Sequence, residues 1–129
     1  MLIQAAHHYS IDVSDIEVAR SFYGGLLGLA EIDRPDFGIP GVWYQAGPIQ
    51  LHLLVVPEGV NVGTLAPSLT PLAPHIAFEI ESYEQMEKTL SEAGFEFKTT
   101  GPVSGQIFVQ DPDGNTIEFI DPSPTLGRS

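Results

Sequence analysis

An α+β fold, laid out as two copies of a strand–helix–strands unit, is predicted by three features of the 129-residue sequence. Polar and apolar residues alternate over 8–13 and again over 75–80, the period of a strand with one buried face. Each alternating stretch runs into a capping sequence, Ser14-Asp15-Ile16-Glu17 and then Ser82-Tyr83-Glu84-Gln85, followed by apolar residues at helical spacing. The copies also keep register: His8 and His75 lie 67 positions apart, and His52 and Glu118 lie 66 apart. Regularity of that kind means one supersecondary unit used twice.

The first strand places His8, Ser10 and Asp12 on one face and Tyr9, Ile11 and Val13 on the other. Ser14 is the expected helix N-cap, Ile16, Ala19, Phe22, Tyr23 and Leu26 form the apolar stripe, and Gly28 stops the helix. Turn-forming residues at Asp33 to Asp36 and Ile39 to Gly41 precede a strand from Val42 to Ala46. After Gly47-Pro48, the strand from Ile49 to Val56 sets Gln50, His52 and Leu54 against Leu51, Leu53 and Val55. Module one is thus 1–56, and the proline-rich stretch 57–74 reads as an inter-module loop.

The second module, 75–122, opens on a strand with His75, Ala77 and Glu79 opposite Ile76, Phe78 and Ile80. Tyr83, Met86, Leu90 and Ala93 make a helical stripe that Gly94 closes. Strands are expected at Phe95 to Lys98, Ile107 to Gln110 and Thr116 to Ile120, the last two joined by the turn Asp111-Pro112-Asp113-Gly114-Asn115. Pro/Ser-rich sequence begins at Asp121, and 123–129 is expected to be a flexible tail. Residues 1–122 therefore read as a single domain of two modules.

Composition narrows the chemistry. There is no cysteine, which removes disulfides, thiolate zinc sites, iron–sulfur clusters and a cysteine nucleophile. Five basic residues face 17 acidic ones, a formal charge of −12, and the basic ones are scattered. Neither nucleic acid nor an anionic membrane surface is an expected partner. No segment resembles a signal peptide or a membrane span, so a cytoplasmic location is expected. Phosphate-loop and nucleophile-elbow patterns are absent from the sequence.

The histidines are left to explain. His8, His52, His75 and Glu118 each sit on a strand, between apolar neighbours, and face away from them. A single strand histidine is ordinarily a hydrogen-bonded structural residue and a single terminal-strand glutamate is ordinarily solvated. Four such groups in one repeat-related register are a candidate divalent-metal site with nitrogen and oxygen donors only. His7 falls on the opposite face by parity and is left out. Asp12 and Glu79 share the ligand face, either as hydrogen-bond partners to the imidazoles or, the reading favoured here, as solvated acids, and Trp43 and Tyr44 read as core or pocket wall.

Residues 8–29, His75-Ile-Ala-Phe and Asp111-Pro-Asp-Gly-Asn-Thr-Ile-Glu118-Phe resemble the vicinal oxygen chelate superfamily, which includes glyoxalase I, extradiol dioxygenases, epimerases and bleomycin-resistance proteins. The resemblance runs from Leu2 to Pro122 and implies paired, curved βαβββ modules with a divalent transition metal (Zn, Ni, Fe or Mn) between them. Its ligand positions fall on His8, His52, His75 and Glu118. It implies a homodimer, a small-molecule substrate with vicinal oxygens, and lyase or isomerase chemistry through a metal-stabilised enediolate, with Glu118 as ligand and catalytic proton carrier. Glyoxalases generally carry Glu where this chain has His52, a departure that sets it apart from glyoxalase proper. The alternatives are a drug-sequestering protein of the bleomycin-resistance type, which the charge of −12 suits, and an extradiol Fe(II) dioxygenase.

Overall fold

The computed structural model describes residues 1–122, which fall into two compact units dividing between Gly63 and Thr64. Each unit carries a four-stranded mixed sheet and little helix, so the α+β class and the βαβββ order hold in both. The flexible-tail expectation for 123–129 lies outside the described residues.

In the first unit β1 (His8–Val13) leads into α1 (Ile16–Arg20), then β2 (Ala30–Ile32), β3 (Gly41–Ala46) and β4 (Ile49–Val55). The sheet order is β1-β4-β3-β2, with β1 parallel to β4 and the other pairs antiparallel. A parallel pair needs a long crossover, and α1, β2 and β3 supply it. The apolar parity holds: Ile11, Val13, Leu51 and Leu53 are buried, together with Ala19, Phe22 and Tyr23 from the helical segment. Each fully buried large apolar side chain contributes about 1.5–3 kcal/mol.

The helix departs from expectation at its cap and in its later turns. Its N-cap is Asp15, not Ser14: the carboxylate accepts from the backbone N–H of Glu17 at 2.9 Å and Val18 at 3.2 Å. A carboxylate there also meets the positive end of the helix dipole. After Arg20 the helix widens into a π-helical turn, Ser21–Leu26. Gly24 lies inside that turn, where a Cβ would come within 3.2 Å of the buried Tyr44 hydroxyl. Small residues there let the sheet's tyrosine approach the helix. Gly28, at φ 75°, ends the segment as its sequence position predicts.

The second unit repeats the plan with β5 (His75–Glu79), α2 (Tyr83–Glu92), β6 (Phe97–Thr99), β7 (Gln106–Gln110) and β8 (Thr116–Ile120), in the order β5-β8-β7-β6. Its core is Ile76, Leu90, Ile107, Val109, Ile117 and Phe119. Ser82 caps α2 by accepting from the Gln85 N–H at 3.1 Å. A second cap comes from Asp121, which is 1% exposed and accepts the Tyr83 N–H at 3.1 Å. The Pro/Ser-rich end of the chain is therefore anchored at its first residue. In the β7–β8 turn Asp111 accepts from the N–H groups of Asp113 and Asn115, and Gly114 takes φ 94°.

Candidate functional site

The repeat positions its four singled-out residues as two pairs, one in each unit. In the second unit β8 runs parallel to β5, and Ala77 lies opposite Glu118. His75, two residues earlier on the same face, reaches diagonally so that its Nε2 stands 3.0 Å from Glu118 Oε1. The other ring nitrogen, Nδ1, is 2.7 Å from the Ala73 carbonyl oxygen. That oxygen can only accept, so Nδ1 carries a hydrogen. Nε2 and Oε1 are then two acceptors face to face unless a cation, a proton or a metal ion, lies between them. Glu118 Oε2 accepts from Gln106 Nε2 at 3.0 Å, and Phe108, directly opposite Glu118, meets the His75 ring edge-on at 5.4 Å. Glu118 is only 7% exposed, with Oε2 held by Gln106 and Oε1 facing His75.

In the first unit Trp43 on β3 is directly opposite His52 on β4, and Ser10 on β1 is opposite it on the other side. The His52 ring is held between two others. It stacks on Trp43 at 4.1 Å and 5° and on His8 at 4.0 Å and 15°. Its Nε2 lies 2.8 Å from Gln50 Oε1, so the imidazole donates there. Burial pushes His52 down to about 4, and the charges of His8, His7 and Arg34 act in the same direction. His52 is thus a neutral imidazole near pH 7. His8 is exposed, and its Nδ1 meets His7 Nδ1 at 2.8 Å, one nitrogen donating to the other.

The donor chemistry suits a divalent metal ion: imidazoles, a buried carboxylate and no thiolate. Two ligand atoms on one metal at ordinary bond lengths stand about 3 Å apart, the separation of His75 Nε2 and Glu118 Oε1. The first-unit pair is less prepared, because the His8 and His52 rings lie face to face and His52 Nε2 is engaged by Gln50. Among the described residues no group of three or more His, Asp or Glu side chains stands together in a metal-holding cluster.

Parity placed the pairs, but several neighbours escaped it. Gln50 was visible on the His52 face without a role, and Gln106 lies one residue before the predicted strand. His7, excluded by parity, reaches His8 from the position just before the strand, where its carbonyl accepts the Gln50 N–H at 3.0 Å. Trp43, expected as core or pocket wall, is the ring that His52 stacks on. No helix among the described residues is long and apolar enough to cross a membrane.

Comparison with known proteins agrees with this architecture. Lactoylglutathione lyase from Escherichia coli O157:H7 is 28% identical over 122 residues, covering 88% of this chain and 90% of that protein. Its counterpart from Salmonella typhimurium is 26% identical over the same shares. Among solved structures, a Bacillus anthracis protein named for the glyoxalase family superposes with a TM-score of 0.75 at 28% identity, covering 94% of this chain and 97% of that one. The antibiotic-binding protein TnmS3 from Streptomyces sp. CB03234 gives a TM-score of 0.72 at 23% identity, covering 95% and 99%. The family model for the Glyoxalase/Bleomycin resistance protein/Dioxygenase superfamily matches residues 5–119. With that match spanning both strand–helix–strands units, the chain belongs to the glyoxalase/bleomycin resistance/dioxygenase superfamily.

Proposed function

We propose that this protein is a metal-dependent, glyoxalase-like enzyme of lyase or isomerase type, acting on a small molecule with two vicinal oxygens. The observation that carries the reading is the His75–Glu118 pair, an imidazole nitrogen and a carboxylate oxygen 3.0 Å apart with the opposite ring nitrogen fixed by a carbonyl. Hydrogen bonds from a ligand's outer nitrogen to a carbonyl are the usual way of fixing its tautomer and raising its basicity.

His75 and Glu118 would anchor the metal, with His8 and His52 as the further ligands in a homodimeric assembly. For His52 to take part, its Nε2 must exchange the Gln50 oxygen for the metal, or it must bind through Nδ1. A bound divalent metal supplies Lewis-acid polarisation of a substrate carbonyl. The chain's own residues do the rest. Gln106 holds Glu118 Oε2 in place, which leaves Oε1 as the carboxylate atom positioned to hold or move a proton once His75 releases it. Burial of Glu118 keeps water from competing for that oxygen.

The named relatives make lactoylglutathione the first compound to assay. Turnover that EDTA removes and Zn or Ni restores supports the reading. Turnover untouched by prolonged EDTA treatment would refute metal dependence. Iron-dependent cleavage of a catechol in place of that activity would favour the dioxygenase alternative.

One observation favours a second reading, sequestration of a drug-like ligand. The His8–His52–Trp43 stack has the exposed His8 ring as an outer member, a face on which a further planar ring can stack, and the charge of −12 would attract a cationic one. Calorimetric titration with a cationic glycopeptide distinguishes it: strong heat without turnover supports sequestration, and no heat removes it.

A further inference from the structure

We propose that the first unit carries a recognition site for the carboxylate of a small organic anion, with Arg34 as its receiving group. Arg34 lines an open cavity of about 570 Å³ within that unit, together with Asp36, Ile39, Gly41, Val42 and Trp43. Two of its donors, Nε–H and an Nη2–H, are shielded from water and have no hydrogen-bond partner. These two lie on the same edge of the guanidinium, the side-on fork that takes both oxygens of a carboxylate at once. Leaving a charged donor shielded and unpaired costs several times what a neutral one costs, so the edge is built for an acceptor that the chain does not itself provide.

The surroundings hold the fork in this state. Gly41 underlies it: a Cβ there would stand 2.9 Å from both Arg34 Cζ and Nε, so only glycine leaves room for the guanidinium plane. The Phe37 ring covers the group at 5.2 Å and is 59% exposed, which makes it the part that yields when a ligand enters. The neighbouring arginine behaves differently. Arg20 lines the same cavity but is bound to Glu17 and, at 3.2 Å, to Glu31. Seventeen acidic residues compete for five basic ones in this chain, yet Asp33 and Asp36 line the cavity without forming an ion pair with Arg34. Ile39, Val42 and Trp43 give the cavity an apolar side beside the arginine. The ligand that fits is therefore a carboxylate on an apolar body.

This assignment does not depend on the metal reading, and its test separates the two. Trp43 is the single tryptophan and lines the cavity, so its fluorescence reports occupancy. The protein, as purified and after EDTA, is titrated with benzoate, phenyl phosphate and the uncharged benzamide. A saturable benzoate response at least about tenfold tighter than that of benzamide is expected, in both preparations. Arg34→Gln should erase that preference, and Arg34→Lys should keep only part of it because an ammonium lacks the fork. Equal binding of benzoate and benzamide, no benzoate response at all, or an unchanged preference in Arg34→Gln would overturn the proposal. Phenyl phosphate binding about tenfold tighter than benzoate would overturn the carboxylate assignment. If the Gln variant does not fold, the Lys variant's loss of preference carries the comparison.

Discussion

His75 Nε2 stands 3.0 Å from Glu118 Oε1, across 43 positions of sequence and one parallel strand pair. With Nδ1–H given to Ala73 and Oε2 held by Gln106, this is the one contact of the pair left to be mediated by a cation. Glu118→Gln keeps the shape and one hydrogen-bonding oxygen but removes the charge. We expect it to fold with a melting temperature within a few degrees of the parent while losing metal affinity by at least about tenfold. Parallel thermal melts and metal titrations check this. A variant that melts normally and holds metal as tightly as the parent would leave Glu118 a structural role only.

His52 should make stability depend on pH. Its folded-state value is lowered to about 4 from the ordinary 6.5, burial being the largest cause. The unfolded chain then binds more protons between those values. The stabilisation tied to the neutral ring is fully present above about pH 6.5 and is lost as pH falls toward 4, by up to roughly 3 kcal/mol. Urea unfolding at pH 7.5 and 4.5 measures it in the metal-free protein, and His52→Phe should flatten the difference. An equal slope in parent and variant would assign the pH dependence elsewhere.

Asp121→Ala should destabilise the second unit by about 1–3 kcal/mol, because it leaves the Tyr83 N–H at the start of α2 without its buried acceptor. Asp121→Asn, which retains an oxygen, should recover part of the loss. Chemical denaturation of both variants gives the comparison, and a loss under about half a kcal/mol for the alanine variant would count against the cap.

Gly41→Ala places a Cβ 2.5 Å from the Leu53 carbonyl oxygen and 2.9 Å from the Arg34 guanidinium. The backbone oxygen cannot move cheaply, since β3 and β4 are paired there. A cost of about 1–3 kcal/mol is expected from overpacking, read by the same denaturation method. No change would mean that the strands separate freely at this point.

Strand parity and the two capping sequences carried most of the fold into view, because alternation and helix entry are local properties that a single sequence displays. The same parity put His8, His52, His75 and Glu118 on the faces where they occur. What stayed hidden depends on contacts between distant residues. β2 is three residues long and largely exposed, with no apolar rhythm to announce it. Asp121 looked like the start of a polar tail, since only tertiary structure brings its carboxylate to the Tyr83 N–H. Arg34 was one of a few scattered basic residues, and its unpaired edge exists only once Gly41 and Phe37 have folded around it. Capping also shifted by one residue, from Ser14 to Asp15, whose carboxylate stands two and three residues ahead of the free N–H groups of Glu17 and Val18 and adds a negative charge at the helix start.

Metal stoichiometry tests the central claim most directly. Untagged protein stripped with EDTA, equilibrated with Ni or Zn and freed of excess ion is submitted to elemental analysis beside the His75→Ala/Glu118→Ala double variant. About one metal ion per chain in the parent, and almost none in a double variant that still melts cooperatively, is the predicted result. A parent that binds no metal, or a double variant that binds as much as the parent, would contradict it.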